Sequence, residues 1–329
     1  MVRVAINGFG RIGRHVLHAG LQHKEIEWVA INDLADAKTL AYLFKHDSVF
    51  GAFEGAVDSK NEVLIINGKK ILVLNEKDPA HLPWKKLKID IVVESTGLLT
   101  SRETAAVHLR SGARKVLVSC PCDKADITLV KGVNEELYNK KKHHVISNAS
   151  CTTNALAPIV KILHESFGII HGFMITAHAL TADQRLIDAP NKDLRRGRSA
   201  MLSIVPTTTG AAKTVAEIIP ALKGKLDGSS WRVPVADGSI VNLSCVVKKP
   251  TSVNEINDLL RKASRNVLKG ILDVSDEALV SHDIIGNSHS CVIDALSTRV
   301  VDQKLISVSA WYDNEWAYAC RIIDVLKML

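Results

Sequence analysis

Val2-Arg3-Val4-Ala5-Ile6-Asn7-Gly8-Phe9-Gly10-Arg11-Ile12-Gly13-Arg14 is the stretch that decides the fold of the first half of this chain. Val2 to Ile6 has the aliphatic, β-branched composition of a strand buried in a sheet. It runs straight into a G-x-G-x-x-G spacing at Gly8, Gly10 and Gly13, and from Arg11 to about His23 the pattern turns helical. A strand, a glycine turn and a helix in that order form a dinucleotide-binding unit. Gly8 permits the tight turn, Gly10 lets backbone approach a pyrophosphate, and Gly13 lets helix and strand pack closely. The helix start offers unpaired amides and a positive dipole to the phosphates. Asp33 follows Gly13 by 20 residues, at the end of the next strand, where a carboxylate accepts from both ribose hydroxyls and repels a 2′-phosphate; NAD is expected over NADP. The competing structural role for Asp33 is the N-cap of the following helix.

Outward from this motif, aliphatic runs and helical stretches keep alternating: Ile26 to Ile31, a helix over Ala37 to Lys45, then strands at Ile89 to Val93, Lys115 to Val118 and His144 to Ile146. That rhythm predicts a parallel sheet with crossover helices. Val63 to Ile66 and Lys70 to Leu74 flank Asn67-Gly68, a hairpin signal, so the sheet is not purely parallel. After Ala149 a helix over Thr152 to Phe167 gives way to extended runs at Ile169 to Thr176, Ser230 to Val233, Ile240 to Lys248 and Leu305 to Trp311, as in a mixed or antiparallel sheet. The last helix, Trp316 to Leu329, has an apolar face to bury. The expected architecture is α/β: a Rossmann-type dinucleotide-binding domain over 1–150, an α+β catalytic domain over 151–314 built on a mixed or antiparallel sheet, and a C-terminal helix over 315–329 packing back on the first domain.

With 329 residues, 47% of them hydrophobic, the chain has material for two ordinary cores. No apolar run reaches the roughly 18 residues of a membrane span, and the N-terminus enters a strand at once, without a signal peptide; a cytoplasmic protein is expected. The six cysteines are scattered and expected to be reduced. Only Cys120 and Cys122 lie close together, and two more ligands at suitable spacing are missing, so no metal is expected. A net charge of +7 admits nucleic acid, but without an aromatic-interleaved basic motif it fits anionic small molecules equally well.

The second informative stretch is Ser147-Asn148-Ala149-Ser150-Cys151-Thr152-Thr153-Asn154, followed by Leu156, Ile159, Val160 and Leu163 at helical spacing. It puts Cys151 in the first turn of a helix with Ser150 as N-cap and Gly168 as stop. The helix end is expected to lower the thiol pKa. Pro158 inside the helix is expected to bend it or to free a carbonyl. His178, in Thr176-Ala177-His178-Ala179-Leu180-Thr181, closes an extended run and can take a proton from an attacking thiol.

With these residues in view, the sequence resembles the phosphorylating glyceraldehyde-3-phosphate dehydrogenases along essentially its whole length. The likeness rests on Asn7 to Arg14, on Ser150-Cys151-Thr152-Thr153-Asn154, on Thr209-Gly210-Ala211-Ala212-Lys213 and on Trp311-Tyr312-Asp313-Asn314-Glu315. It implies that Cys151 is the nucleophile and His178 its base. Thr181 and Arg232 would hold the substrate phosphate; Ser150, Thr152, Thr209 and Gly210 would hold the attacking inorganic phosphate. Arg11, Ile12, Lys77 and Ser119 would join Gly8, Gly10, Gly13 and Asp33 around NAD, with Asn314 fixing the nicotinamide amide and Tyr318 beside it.

The implied reaction is the oxidation of glyceraldehyde 3-phosphate to 1,3-bisphosphoglycerate through a thiohemiacetal and a thioester on Cys151, a step of glycolysis and gluconeogenesis. Erythrose-4-phosphate dehydrogenase is the nearest alternative, and an NAD-binding nucleic-acid or protein interaction module is the alternative from another class. The long loop from Thr181 to Val205, with Arg185, Arg195, Arg196 and Arg198, reads as a solvated basic loop from composition alone; the resemblance makes it an interface of a homotetramer. Leu34 and Pro190 resemble the NAD-using branch. Ala317 stands where glycine is usual, Val235-Ala236-Asp237-Gly238 departs from the common turn after Arg232, and Cys120 and Cys122 are unusual beside Ser119.

Overall fold

The computed structural model describes residues 1–329. The chain divides into two compact units, one made of Met1–Leu129, Glu135–Ala149 and Ala319–Leu329, the other of Val130–Asn134 and Ser150–Tyr318.

The first unit alternates strand and helix through β1 (Val2–Asn7), α1 (Arg11–Gly20), β2 (Ile26–Asn32) and α2 (Ala37–Lys45). It continues with β3 (Val57–Lys60), β4 (Val63–Ile66), β5 (Lys69–Leu74), β6 (Ile91–Glu94), β7 (Lys115–Val118), β8 (Ile127–Thr128) and β9 (Val145–Ser147). These strands form one sheet ordered β8-β9-β7-β6-β1-β2-β5-β4-β3. Every pairing from β8 to β5 is parallel, whereas β5, β4 and β3 run antiparallel. Between β4 and β5, Asn67 and Gly68 have φ of 49° and 78°, the positive angles of a two-residue hairpin turn. Val4, Ala5 and Ile6 of the central strand have no solvent exposure, because helices cover both faces of a parallel sheet.

The chain leaves β1 for β2 on one side and returns to β6 on the other, so the strand order reverses at the carboxyl end of β1, where doubly wound sheets take their ligands. A buried polar chain ties these strand ends together. Glu94, at the end of β6, accepts from Asn7 Nδ2 at 2.7 Å and from His108 Nε2 at 2.9 Å, and also from the amide and hydroxyl of Thr96. Trp84 Nε1 donates to His108 Nδ1 at 3.0 Å, so the imidazole proton sits on Nε2, toward the carboxylate. Asn32 Nδ2 donates to Asn7 Oδ1 at 2.8 Å. A carboxylate buried this deeply is tolerated because donors surround it, and the result is a rigid rim for the crevice.

The second unit opens with α3 (Cys151–Phe167), continuous through Pro158 and ended by Gly168 at φ +73°. There follow β10 (Ile169–His178), β11 (Val205–Thr208), α4 (Ala211–Ile218), β12 (Leu226–Arg232), β13 (Ser239–Val247), α5 (Val253–Arg265), β14 (Leu272–Ser275), β15 (Cys291–Asp294), β16 (Arg299–Val301) and β17 (Leu305–Tyr312). The sheet is ordered β11-β12-β10-β13-β17-β15-β14, with β16 paired to β17. It is mixed: β10 runs parallel to β12 and β14 to β15, while the remaining pairs are antiparallel. Along β13 alternate residues Val241, Leu243, Cys245 and Val247 are buried, the period of a sheet with one covered face.

The last helix, α6 (Trp316–Met328), joins the first unit from Ala319 onward. Its apolar face, Ile322, Ile323, Val325 and Leu326, is fully buried. Ile323 lies against Gly20, where an added Cβ would come within 3.0 Å of its methyl group.

Candidate active site

In the first unit each glycine of the motif has its own physical reason. Gly8 sits at φ +91°, and a Cβ there would lie 2.6 Å from the Thr96 amide nitrogen. At Gly13 a Cβ would stand 2.3 Å from the Gly8 carbonyl oxygen. Gly10 differs: it caps α1 with extended backbone and no side-chain bond, and a Cβ would meet nothing within 4 Å. No contact inside the protein demands glycine at that position, so the space in front of it is a cradle at a helix start that a side chain would fill. That is the fit expected for a dinucleotide pyrophosphate.

Asp33 Oδ2 accepts from the Phe9 amide at 2.8 Å and Oδ1 from Ala35 at 3.1 Å, which fixes the carboxylate beside the glycine turn. The cap of α2 is Asp36, whose side chain accepts from Thr39, so Asp33 is not the N-cap. Arg11 is ion-paired with Asp47, Ile12 is half-buried, Lys77 is exposed on the segment after β5, and the Ser119 amide bonds the Glu94 carbonyl just after β7.

In the second unit sheet register does what sequence spacing cannot. β10 and β12 pair in parallel so that His178 lies directly opposite Arg232. Cys151 begins α3, with Ser150 Oγ accepting from the Thr153 amide at 3.1 Å. Its sulfur is 3.4 Å from His178 Nε2. His178 Nδ1 is 2.8 Å from the Ala179 carbonyl, which only accepts, so Nδ1 carries the proton and Nε2 presents its lone pair to the thiol.

Burial raises the Cys151 pKa, while Arg232 and the hydroxyl and amide of Thr152 pull it down. This corrects the expectation that the helix end lowers it outright. His178 is pushed down to about 3 by burial and then by Arg232. At rest both groups are neutral, and the imidazole is an acceptor placed to take the thiol proton when the sulfur attacks.

Arg232 is half-buried, and its Nε and Nη1 are buried without a hydrogen-bond partner. Orphaned guanidinium donors are costly inside a protein unless an anion completes them. Thr181 donates its hydroxyl to Asp183, which is ion-paired with Arg196. Thr209 and Gly210 lie at the start of α4, where Thr209 Oγ1 accepts from the Ala211 amide at 3.2 Å. Thr152 is buried, with its hydroxyl 2.9 Å from Tyr312 OH.

Tyr312 joins the site without a chemical motif of its own in the sequence. Its hydroxyl also lies 2.9 Å from Thr176 Oγ1, which donates to the Ile240 carbonyl at 3.0 Å. The ring packs edge-on against His178, with centroids 6.0 Å apart. The only signal in the sequence was its place two residues before Asn314. Asn314 is buried, and its Oδ1 accepts from Ser239 Oγ at 2.5 Å; Tyr318 is buried as well.

A dinucleotide cradle on a parallel sheet, with a half-buried thiol against a buried imidazole elsewhere in the same chain, defines the class: an NAD-dependent oxidoreductase. Residues 2–102 match the family model for the glyceraldehyde 3-phosphate dehydrogenase NAD binding domain, and residues 150–314 match that for its C-terminal domain. Among similar proteins, the glyceraldehyde-3-phosphate dehydrogenase of Geobacillus stearothermophilus is 54% identical over 324 residues, covering 98% of this chain and 97% of its own. Glyceraldehyde-3-phosphate dehydrogenase 2 of Bacillus subtilis (strain 168) is 49% identical, covering 99% and 96%, and that of Priestia megaterium is 49% identical, covering 100% and 98%. The chain belongs to the glyceraldehyde 3-phosphate dehydrogenase family.

No group of three or more His, Cys, Asp or Glu side chains is arranged to hold a metal ion, none of the six cysteines is disulfide-bonded, and no helix is long and apolar enough to cross a membrane.

Proposed function

We propose that this chain oxidises glyceraldehyde 3-phosphate to 1,3-bisphosphoglycerate with reduction of NAD, using Cys151 as nucleophile and His178 as general base. The observation that carries the reading is the His178 lone pair facing the Cys151 sulfur at 3.4 Å. The sulfur adds to the aldehyde carbon as its proton passes to Nε2, and the Ala179 carbonyl steadies the imidazolium through Nδ1. His178 then returns that proton to the alkoxide, giving the thiohemiacetal, and its free Nε2 is ready to accept the hydroxyl proton when the adduct is oxidised. NAD, when bound, supplies the hydride acceptor that turns this adduct into a thioester. Gly8, Gly10, Gly13 and Asp33 would hold it, with Asn314 on the nicotinamide amide.

Arg232, with its two orphaned donors, and Thr181 take the substrate phosphate. Ser150, Thr152, Thr209 and Gly210 take the inorganic phosphate that attacks the thioester. The test is a rate of NADH formation that depends on inorganic phosphate and favours glyceraldehyde 3-phosphate. Phosphate-independent turnover with a preference for erythrose 4-phosphate would overturn the assignment.

The loop after His178 supports a homotetramer. It exposes Leu186, Ile187, Leu194, Leu202 and Ile204, each more than 60% accessible, and adjacent large apolar side chains in water mark a contact surface. Light scattering is expected to give the tetramer mass; a monomer at micromolar concentration contradicts it. The cytoplasm is the compartment in which such a thiol stays reduced.

A further inference from the structure

Asp237, in the turn after Arg232 where this chain departs from the usual pattern, has a buried carboxyl whose surroundings call for a proton. Its accessibility is 2% and that of Asp313 is 1%. Asp237 Oδ1 accepts from the Gly238 amide at 2.8 Å, while no N–H or hydroxyl reaches Oδ2. The register of β13 on β17, with Ser239 opposite Tyr312, puts Asp237 beside Asp313, and the two carboxyls lie within hydrogen-bonding reach. Two carboxylates cannot hydrogen-bond unless one holds a proton. Asp313 is the acceptor, because three amides already converge on it: Gly286 at 2.7 Å on Oδ2, and Glu315 at 2.9 Å and Trp316 at 2.6 Å on Oδ1.

We propose that Asp237 is a positioning residue that works as a neutral carboxylic acid, donating its proton to Asp313 and so fixing the turn that carries Asn314. Both ends of that hydrogen bond lead to residues assigned to the reaction. Asp313 precedes Asn314, and its three amide bonds shape the turn. Asp237 is two residues from Ser239, whose hydroxyl holds Asn314 Oδ1 at 2.5 Å and accepts the Ala179 amide, next to His178, at 3.0 Å. Gly238 between them sits at φ +84°, with the Ser281 carbonyl oxygen 2.1 Å from where a Cβ would be, so the segment cannot readily shift.

Asp313 and Glu315 from that turn act on Asp237 most strongly, and Asp237 in turn acts on the Cys151 thiol at the start of α3. All of them can only be neutral or negative. An ionised Asp237 would repel Asp313 and oppose thiolate formation at Cys151; a neutral one does neither. Burial, followed by Asp313 and Glu315, pushes the Asp237 pKa up to about 9, in accord with this geometry.

The role in cofactor positioning rests on the assignment of Asn314 under the proposed function, and the experiment separates the two. Wild type, Asp237→Asn and Asp237→Ala are compared by NAD titration, by steady-state kinetics from pH about 6 to about 10, and by infrared difference spectroscopy. Asparagine keeps a donor toward Asp313 and an acceptor for Gly238. It is expected to hold the KM for NAD within about twofold of wild type at neutral pH, whereas Asp237→Ala raises it about five- to tenfold with a smaller effect on kcat. In wild type the NAD affinity falls above pH about 9, and in Asp237→Asn that alkaline loss disappears. The carbonyl stretch of a neutral carboxylic acid is present in wild type and missing in both variants.

An Asp237→Ala enzyme with normal NAD affinity overturns the proposal. So does an Asp237→Asn enzyme as weak as Asp237→Ala, or an acid carbonyl band unchanged by the substitution. Absence of turnover with glyceraldehyde 3-phosphate would sink the proposed reaction instead, and NAD titration and the infrared band would still decide the role of Asp237.

Discussion

Nε2 of His178 faces the sulfur of Cys151 at 3.4 Å because Nδ1 is engaged by the Ala179 carbonyl at 2.8 Å. The orientation of the base is set by backbone, so replacing the ring removes the proton acceptor without disturbing the nucleophile. His178→Asn is expected to lower kcat by about 10²–10⁴ with little change in NAD affinity, measured by steady-state kinetics and NAD titration. A loss of less than about threefold contradicts the role.

The same imidazole makes stability depend on pH. Its folded pKa, about 3, lies below the value of about 6.5 in the unfolded chain. The unfolded state therefore binds the extra proton as pH falls between those values, and stability declines through that window. Between pH about 6.5 and about 5 the wild type should lose about 2 kcal/mol that His178→Asn does not lose. Denaturant titrations of both proteins at the two pH values check the difference; parallel losses would mean that the buried ring is not held neutral.

Arg232 lowers the Cys151 pKa from its place opposite His178. Arg232→Leu should therefore shift the pH dependence of iodoacetamide alkylation toward alkaline values and raise the KM for the phosphorylated aldehyde by at least about tenfold. An unchanged alkylation profile would remove Arg232 from the electrostatics of the thiol.

Gly10 and Gly13 make opposite predictions. Gly10→Val meets open space and extended backbone, so melting should change little while NAD binding is lost. Gly13→Ala drives a methyl group into the Gly8 carbonyl and should cost about 1–3 kcal/mol of stability. Thermal melts with and without NAD distinguish the two.

The parts of this molecule legible in its sequence are those decided over short distances. The turn from β1 into α1, the Asn67-Gly68 hairpin, the Ser150 cap and the Gly168 stop each depend on neighbours within a few residues. The distance between Cys151 and His178 is of another kind, since it follows from the register of β10 on β12 and from where α3 begins. The hydroxyl chain through Thr176, Tyr312 and Thr152 draws on three separate elements, and the contact of Asp237 with Asp313 joins two turns far apart in the chain. Helix α5 is also set locally: Ser252 caps it, and Ile256 and Leu260 stand four apart on its buried face. The strand Val205–Thr208 contains Pro206 and lacks alternation, so only its pairing with β12 reveals it. In the same way, the raised thiol pKa reflects burial by the whole unit and not the local helix end.

The central claim, a thioester on Cys151 that inorganic phosphate discharges, is tested most directly by acid-quenching the enzyme with glyceraldehyde 3-phosphate and NAD in phosphate-free buffer, then mapping the adduct by mass spectrometry. The account predicts one acyl group on the peptide containing Cys151, which disappears on addition of phosphate as acyl phosphate forms. Acyl phosphate production by Cys151→Ser, or an adduct that phosphate leaves untouched, would contradict it.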